Sequence, residues 1–152
     1  MGQLQTCYTC ERMSRPDAPL WDHIYRTSQW TVVHSYNCSL LGWLVLIPNR
    51  HVEAVSELTE DEAVELGRLQ RSVSHALHQA TGCIKTYIAL FAEHPLHTHV
   101  HFHVVARYAD QPADKRGPHI FDYIGVSDDQ RVSEQAMNEL AGKIRAYLQS
   151  NA

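Results

Sequence analysis

Three histidines at alternate positions are the residues best suited to chemistry in this chain. His99, His101 and His103 stand in the run His-Val-His-Phe-His-Val-Val, which ends at Val105. Side chains alternate between the two faces of a strand, so the three imidazoles are expected on one face, about 7 Å apart at Cα. Such a row offers a nucleophile, a base and hydrogen-bond donors to a phosphate. A partly buried histidine ladder and a nonspecific metal-binding patch are the alternatives.

Cys7 and Cys10 form a second candidate site near the start of the chain. Two thiolates at this spacing can hold one side of a tetrahedral Zn²⁺, and two more ligands are then needed. His51, directly after a predicted strand, and His99 are the candidates. Four protein ligands would make the zinc structural, because no position is left for a catalytic water. A redox pair or two structural thiols are the alternatives, although a redox pair would be expected in a βαβ setting that is missing here.

The elements that must position these groups follow from the hydrophobic pattern. The segment before residue 20 is expected to be loop. A capping box at Thr59 and Glu62 predicts a helix that ends near Gly82, and a second helix is expected from residue 127 to the C-terminal end. We expect strands at 24–26, 29–34, 42–48, 83–91 and 99–107. Short connections between neighbouring strands favour an antiparallel sheet, hence an α+β fold with about five strands and two main helices.

Composition restricts the class of protein. The chain has 152 residues, 44% hydrophobic and 20% charged, which is ordinary for one globular domain and predicts a single domain over 1–152. The formal charge of −4 argues against binding of a nucleic acid polymer. No apolar run approaches the roughly 20 residues that span a bilayer, and the N-terminus lacks a secretory signal. We therefore expect no membrane partner and a cytoplasmic location.

The chain resembles the histidine triad superfamily in its zinc-bearing bacterial form. Three motifs carry the resemblance: the triad run, the N-terminal Cys-x-x-Cys, and the stretch Leu-Val-Leu-Ile-Pro-Asn-Arg-His that ends at His51. Together they cover roughly residues 7–107. The resemblance implies the family's α+β fold with a five-stranded antiparallel sheet, often as a homodimer. It also implies a structural zinc held by Cys7, Cys10, His51 and His99.

The resemblance further implies an activity. His101 would be the nucleophile that attacks the α-phosphorus of a small nucleotide-type ligand, and His103 would contact the phosphate under attack. The implied enzyme is a nucleotide-phosphate hydrolase or a nucleotidyltransferase, acting on a dinucleoside polyphosphate, a nucleoside phosphoramidate or a nucleotide–sugar. One alternative is a nucleotide-binding or regulatory module with little turnover. Another is a zinc or nickel buffer that uses the 11 histidines.

The chain departs from the family pattern around the expected phosphate site. Trp43 stands where the family usually carries a further histidine, and strand alternation predicts that its side chain points toward the triad, within the substrate site. His94 and His97 are candidates to replace phosphate-side partners that are absent. Asn37 is the nearest candidate for a ribose contact. A base pocket is a further hypothesis, for which the candidates are Trp21, Ile24 and Tyr25, with core packing favoured for Ile24.

Overall fold

Five antiparallel strands form one sheet in the order β1-β2-β3-β5-β4. The structure is a computed structural model, and it describes residues 6–151. The predicted α+β class is confirmed, and β5, which carries the last triad histidine, lies between β3 and the edge strand β4. The strands are β1 (Tyr25–Arg26), β2 (Trp30–His34), β3 (Trp43–Pro48), β4 (Lys85–Ala89) and β5 (Phe102–Arg107).

Three α-helices accompany the sheet within residues 6–151: α1 (Tyr8–Met13), α2 (Glu60–Thr81) and α3 (Glu134–Ser150). The predicted capping box is confirmed at the start of α2, where the side chains of Thr59 and Glu62 each accept a hydrogen bond from the other's backbone amide. Gly82, at φ +69°, ends this helix. No helix in the described part of the chain is both long and apolar enough to cross a membrane.

Several predicted boundaries are wrong. The strand expected over 99–107 begins at Phe102, so His99 and His101 precede it, and the strand expected over 83–91 covers only Lys85–Ala89. The N-terminal segment, expected to be loop, contains α1, because the Cys7 thiol accepts a hydrogen bond from the Cys10 amide and caps the first turn. The C-terminal helix begins later than residue 127, because Ser133 caps it and the residues before it form a short 3₁₀ turn at Asp128–Gln130.

The two faces of the sheet bury different sets of side chains. On one face α2 and α3 cover Leu44, Leu46 and Val104. On the other face Trp43, Val45 and Ile47 pack with residues from the later part of the chain. The alternation predicted for β3 is therefore confirmed. Val100 and Val104 are buried as expected for the apolar side of the triad segment.

The connection from β2 to β3 is fixed by a buried histidine. The Gly42 amide donates to His34 Nε2 at 3.0 Å, so Nδ1 carries the proton and donates to the Ser35 carbonyl at 2.8 Å. Gly42 has φ +95°, and a Cβ there would lie 2.9 Å from the Ala106 Cβ. Burial lowers the pKa of His34 to about 4, and the bond to Ser35 only partly opposes that shift. The ring is therefore neutral in the folded chain.

This arrangement predicts a loss of stability in mild acid. His34 has an ordinary pKa of 6.5 when unfolded and about 4 when folded, so between these values only the unfolded chain takes up the proton. The free energy of unfolding should fall by up to about 3 kcal/mol as pH drops from about 6.5 to about 4. Denaturant unfolding at pH 7 and pH 5 measures this. His34→Asn should reduce the difference between the two pH values, and an equal difference in both proteins would contradict the assignment.

Candidate functional site

Four side chains from three parts of the chain meet at one point. The ligand atoms of Cys7, Cys10, His51 and His99 all lie within 4.8 Å of one another. His99 Nδ1 lies 3.6 Å from the Cys7 sulfur and 3.4 Å from the Cys10 sulfur, and His51 Nδ1 lies 3.5 Å from the Cys10 sulfur. Tetrahedral zinc, with Zn–S near 2.3 Å and Zn–N near 2.0 Å, separates neighbouring sulfur and nitrogen ligands by about 3.5 Å. The cluster therefore has the donor set and spacing of a structural zinc site.

Backbone pairing brings the two histidines of this zinc site together. His51 follows β3 and His99 precedes β5, and the Val100 amide donates to the Val52 carbonyl at 2.8 Å. The two rings consequently stand edge to face, with centroids 5.0 Å apart. Next to His51, the Arg50 guanidinium binds the Glu62 carboxylate at 3.0 Å, which ties this segment to the start of α2.

Hydrogen bonds at the far side of each ring orient both imidazoles toward the thiols. His99 Nε2 donates to the Pro48 carbonyl at 2.9 Å, so its Nδ1 is free to bind a metal. His51 Nε2 faces the Glu53 carboxylate at 3.4 Å, and Glu53 also accepts from the Thr98 hydroxyl at 2.9 Å. Such outer partners fix the tautomer and the orientation of a metal-binding histidine. The sequence interpretation did not include Glu53.

The protonation chemistry of the cluster suits a divalent cation. Burial, together with a smaller effect of the neighbouring Cys7, raises the pKa of the Cys10 thiol to about 11. Two thiolates side by side are therefore unfavourable unless a cation lies between them, and a bound metal ion deprotonates a coordinating thiol. Burial lowers the pKa of His99, which keeps the imidazole in the neutral form that binds metals.

His101 is held in one tautomer by the backbone. Its Nδ1 donates to the His99 carbonyl at 2.8 Å, so Nε2 keeps its lone pair. The His101 and His103 rings meet edge to face with centroids 5.0 Å apart, and both line the same cavity. The expected placement of these two rings on one face is observed, while the His99 ring turns to the zinc site.

Trp43 determines the tautomer of His103. The indole Nε1 donates to His103 Nδ1 at 2.9 Å. An indole can only donate, so His103 Nδ1 must accept and Nε2 must carry the proton. Burial, with a smaller effect of His101, lowers the pKa of His103 to about 3, so the ring stays neutral. Trp43 points toward the triad as expected, but it has no exposed surface. The contact that Trp43 makes here is with His103, and direct binding of substrate by Trp43 stays a prediction.

The cavity beside the triad has a volume of about 680 Å³. Asn37, His94 and His97 line it, as their candidate roles require, and His97 packs edge-on against Tyr8 with centroids 5.3 Å apart. The three residues suggested for a base pocket are not among the residues that line this cavity: Ile24 is buried in the core under the helices, and Trp21 and Tyr25 are partly buried and pack against that core.

An aromatic wall that sequence reasoning missed takes the place of that pocket. Phe121 packs against Trp43, His103 and Phe91, each at a centroid distance of 5.2 Å. Tyr36 and α1 complete the cavity. The sequence contained one indication of this wall. If a helix begins at the Cys-x-x-Cys motif, residues 8, 9, 12 and 13 lie on one side of it. All four residues line the cavity.

Comparison with known proteins identifies the fold. The HIT domain family model matches residues 21–110. A zinc-bound histidine triad family protein from Mycobacterium smegmatis has a TM-score of 0.69 at 16% identity, covering 97% of this chain and 98% of that one. A protein from Sulfolobus tokodaii, described as a hypothetical histidine triad nucleotide-binding protein, has a TM-score of 0.68 at 18% identity, covering 95% of this chain and 93% of that one.

A larger protein shares the same fold. A uridylyltransferase mutant has a TM-score of 0.67 at 18% identity, covering 97% of this chain and 48% of that one. No curated protein matches this chain by sequence. At these identities the structural similarity establishes the fold, while the geometry of the chain's own residues defines its sites.

The zinc site predicts that Cys10→Ser loses metal and stability together. A serine hydroxyl is a poor zinc ligand, and the binding energy of a structural zinc contributes to folding. The parent, kept reduced and away from chelators, should contain one zinc per chain, and the variant should contain much less and melt at a lower temperature. Metal analysis and thermal unfolding measure these. Cys83→Ser, at a buried thiol outside the site, is the control and should keep its zinc. Parent protein without zinc would contradict the assignment.

Proposed function

Because this chain belongs to the HIT domain family, we propose that it is a nucleotide-phosphate hydrolase or nucleotidyltransferase that acts through a covalent nucleotidyl-histidine on His101. The observation that supports this most is the pair of opposite tautomers in the cavity. His101 has a bare Nε2, because its Nδ1 donates to the backbone. His103 has a protonated Nε2, because its Nδ1 accepts from Trp43. A nucleophile therefore lies next to a hydrogen-bond donor.

In the proposed first step, His101 Nε2 attacks the α-phosphorus and forms an N–P bond. The bond from phosphorus to the leaving group breaks, and the electron pair departs with the leaving group. His103 Nε2–H donates to a non-bridging oxygen on which negative charge builds up. Neither ring needs to lose a proton before the attack, because fixed partners already set both tautomers.

In the proposed second step, water or another acceptor attacks the same phosphorus. The N–P bond breaks, the nucleotide leaves with the acceptor's oxygen, and the acceptor's proton passes to solvent. A bound zinc would supply structure only, since four protein ligands surround the position. Its contribution would be to hold His99, whose carbonyl fixes the nucleophile. In the described part of the chain one cluster of at least three metal-binding side chains occurs, which supports a defined site over a buffer with several labile ions.

A nucleotide-binding module with little turnover is the second candidate. The observation in its favour is Trp43, which cannot accept or relay a proton as a histidine can. Turnover of a fluorogenic adenosine phosphoramidate separates the two candidates, because a binding module would bind this compound without releasing the fluorophore.

The homodimer expected from the family stays a prediction. The edge strand β4 supports it, since one of its sides is unpaired within residues 6–151. Two apolar side chains on the same face of the sheet are exposed at this edge. Ile84, just before β4, is 58% exposed, and Ile88, within β4, is 47% exposed. An exposed apolar edge strand is a surface that a second copy can cover. Sedimentation equilibrium would give the mass of the assembly.

The proposed mechanism predicts that His101→Ala abolishes turnover while zinc content and thermal stability stay near those of the parent. The His101 side chain lies outside the zinc cluster, and its removal deletes only the nucleophile. A radiolabelled nucleotidyl-protein adduct, trapped in a single turnover, should form in the parent and be absent from the variant. His99→Ala is the comparison, and it should lose zinc as well as activity. Retention of most of the parent rate by His101→Ala would rule out this nucleophile.

Trp43 supplies the next prediction. Trp43→Phe removes the N–H and leaves a buried acceptor on His103 without its donor, so kcat/KM should fall by about tenfold or more. Trp43→His restores a donor at this position and should lose less. Kinetics on several nucleotide substrates measure both variants. A uniform large gain for Trp43→His would instead identify Trp43 as a catalytic defect and favour the binding module.

A further inference from the structure

Arg12, on α1, is a cation with a fixed orientation in the wall of the cavity. Its side chain is only 18% exposed, and its Nε donates to the Asp22 carboxylate at 2.9 Å. Its guanidinium carbon lies 4.4 Å from the centroid of the Tyr36 ring. Nη1 faces the Tyr8 hydroxyl at 3.4 Å, and Nη2 has no hydrogen-bond partner among residues 6–151. These contacts fix the orientation of the guanidinium plane and leave the N–H groups of Nη2 available to bind a ligand.

An anionic ligand in the cavity needs a positively charged partner, and the Arg12 guanidinium is the group in the cavity wall that can provide it. Arg12 is the one arginine or lysine among the lining residues of the described chain. The buried Asp22 carboxylate is shared with Arg15, which binds it at 3.3 Å, so Arg12 is not fully neutralised by its partner. The His103 ring is neutral. Phosphate oxygens that enter this largely aromatic space lose hydration, and a charged partner must replace it.

Arg12 lines the same cavity as the two histidines of the proposed reaction, His101 and His103. The imidazole ring of His97 lines this cavity as well. The same ring packs against Tyr8, which contacts Arg12. The cavity is therefore continuous from the nucleophile to the guanidinium, and its volume exceeds what one phosphate and a water fill.

We propose that Arg12 determines substrate specificity by binding the anionic leaving group of a pyrophosphate-linked nucleotide, an inference that rests on the proposed function. His101 Nε2 forms a bond to the α-phosphorus while the P–O bond toward the next phosphorus breaks. The electron pair goes to the bridging oxygen, and Arg12 binds the departing phosphate. With a phosphoramidate the P–N bond breaks, the electron pair goes to nitrogen, and one proton from solvent gives a neutral amine, which offers Arg12 no negative charge to bind. The site therefore favours P–O–P over P–N substrates.

The test compares Arg12→Gln with Arg15→Gln. Both arginines bind Asp22, but Arg15 is absent from the cavity wall, so it controls for loss of the ion pair. We expect Arg12→Gln to lower kcat/KM on a dinucleoside polyphosphate by about 10- to 100-fold, the effect of one charge-assisted hydrogen bond. On an adenosine phosphoramidate the same variant should stay within about threefold of the parent. Arg12→Lys should recover part of the loss, and Arg15→Gln should match the parent on both substrates.

A calorimetric titration with inorganic pyrophosphate gives a readout independent of turnover. The parent and Arg15→Gln should bind it, and Arg12→Gln should bind at least tenfold more weakly with unchanged zinc content. Equal losses on both substrates, or equal effects of the two glutamine variants, would show that Arg12 is only structural. A parent that cleaves the phosphoramidate but not the polyphosphate would overturn the specificity while leaving the proposed function intact. A parent that cleaves neither would overturn the function, and pyrophosphate binding would still decide the role of Arg12.

Discussion

His99 belongs to both sites of this protein, and the rest of the arrangement depends on it. Its ring turns Nδ1 toward the two thiols and donates from Nε2 to the Pro48 carbonyl. Its own carbonyl accepts the proton of His101 Nδ1. The next residue, Val100, is fully buried and anchors the backbone between them. A shift of this segment would therefore disturb the metal ligand and the proposed nucleophile at the same time.

The proposed mechanism adds a second constraint: the reacting imidazoles must be neutral. A protonated ring has no lone pair for attack, and burial keeps His103 in the neutral form. Tautomers are set by the partners, a backbone carbonyl for His101 and an indole for His103. The consequence is that His103 adds no positive charge to the proposed phosphate site. Positive charge must then come from elsewhere in the cavity wall, and α1 is the element that carries it.

Sequence patterns predicted the parts of this structure that local rules determine. Strand alternation placed His101 and His103 together and turned Trp43 toward them, and the capping box fixed the start of α2. The helix α1 was missed because six residues are too few for a periodic pattern, and the Cys7 cap that stabilises it looks like a metal ligand in the sequence. The cavity wall was missed because it joins segments far apart in the chain, and no spacing rule connects Tyr36 with Phe121.

The histidines of the triad and the residues that shape the cavity lie in different parts of the chain. The triad and His51 lie inside the part that matches the family, residues 21–110. Arg12 and Phe121, which shape the cavity, lie outside it, as do both zinc-binding cysteines. The thiols at the start of α1 thus belong to the same metal site as His99, whose carbonyl holds the proposed nucleophile, His101. This metal site therefore fixes the helix that carries Arg12 relative to His101. A short helix with little packing of its own can in this way still define the shape of the cavity.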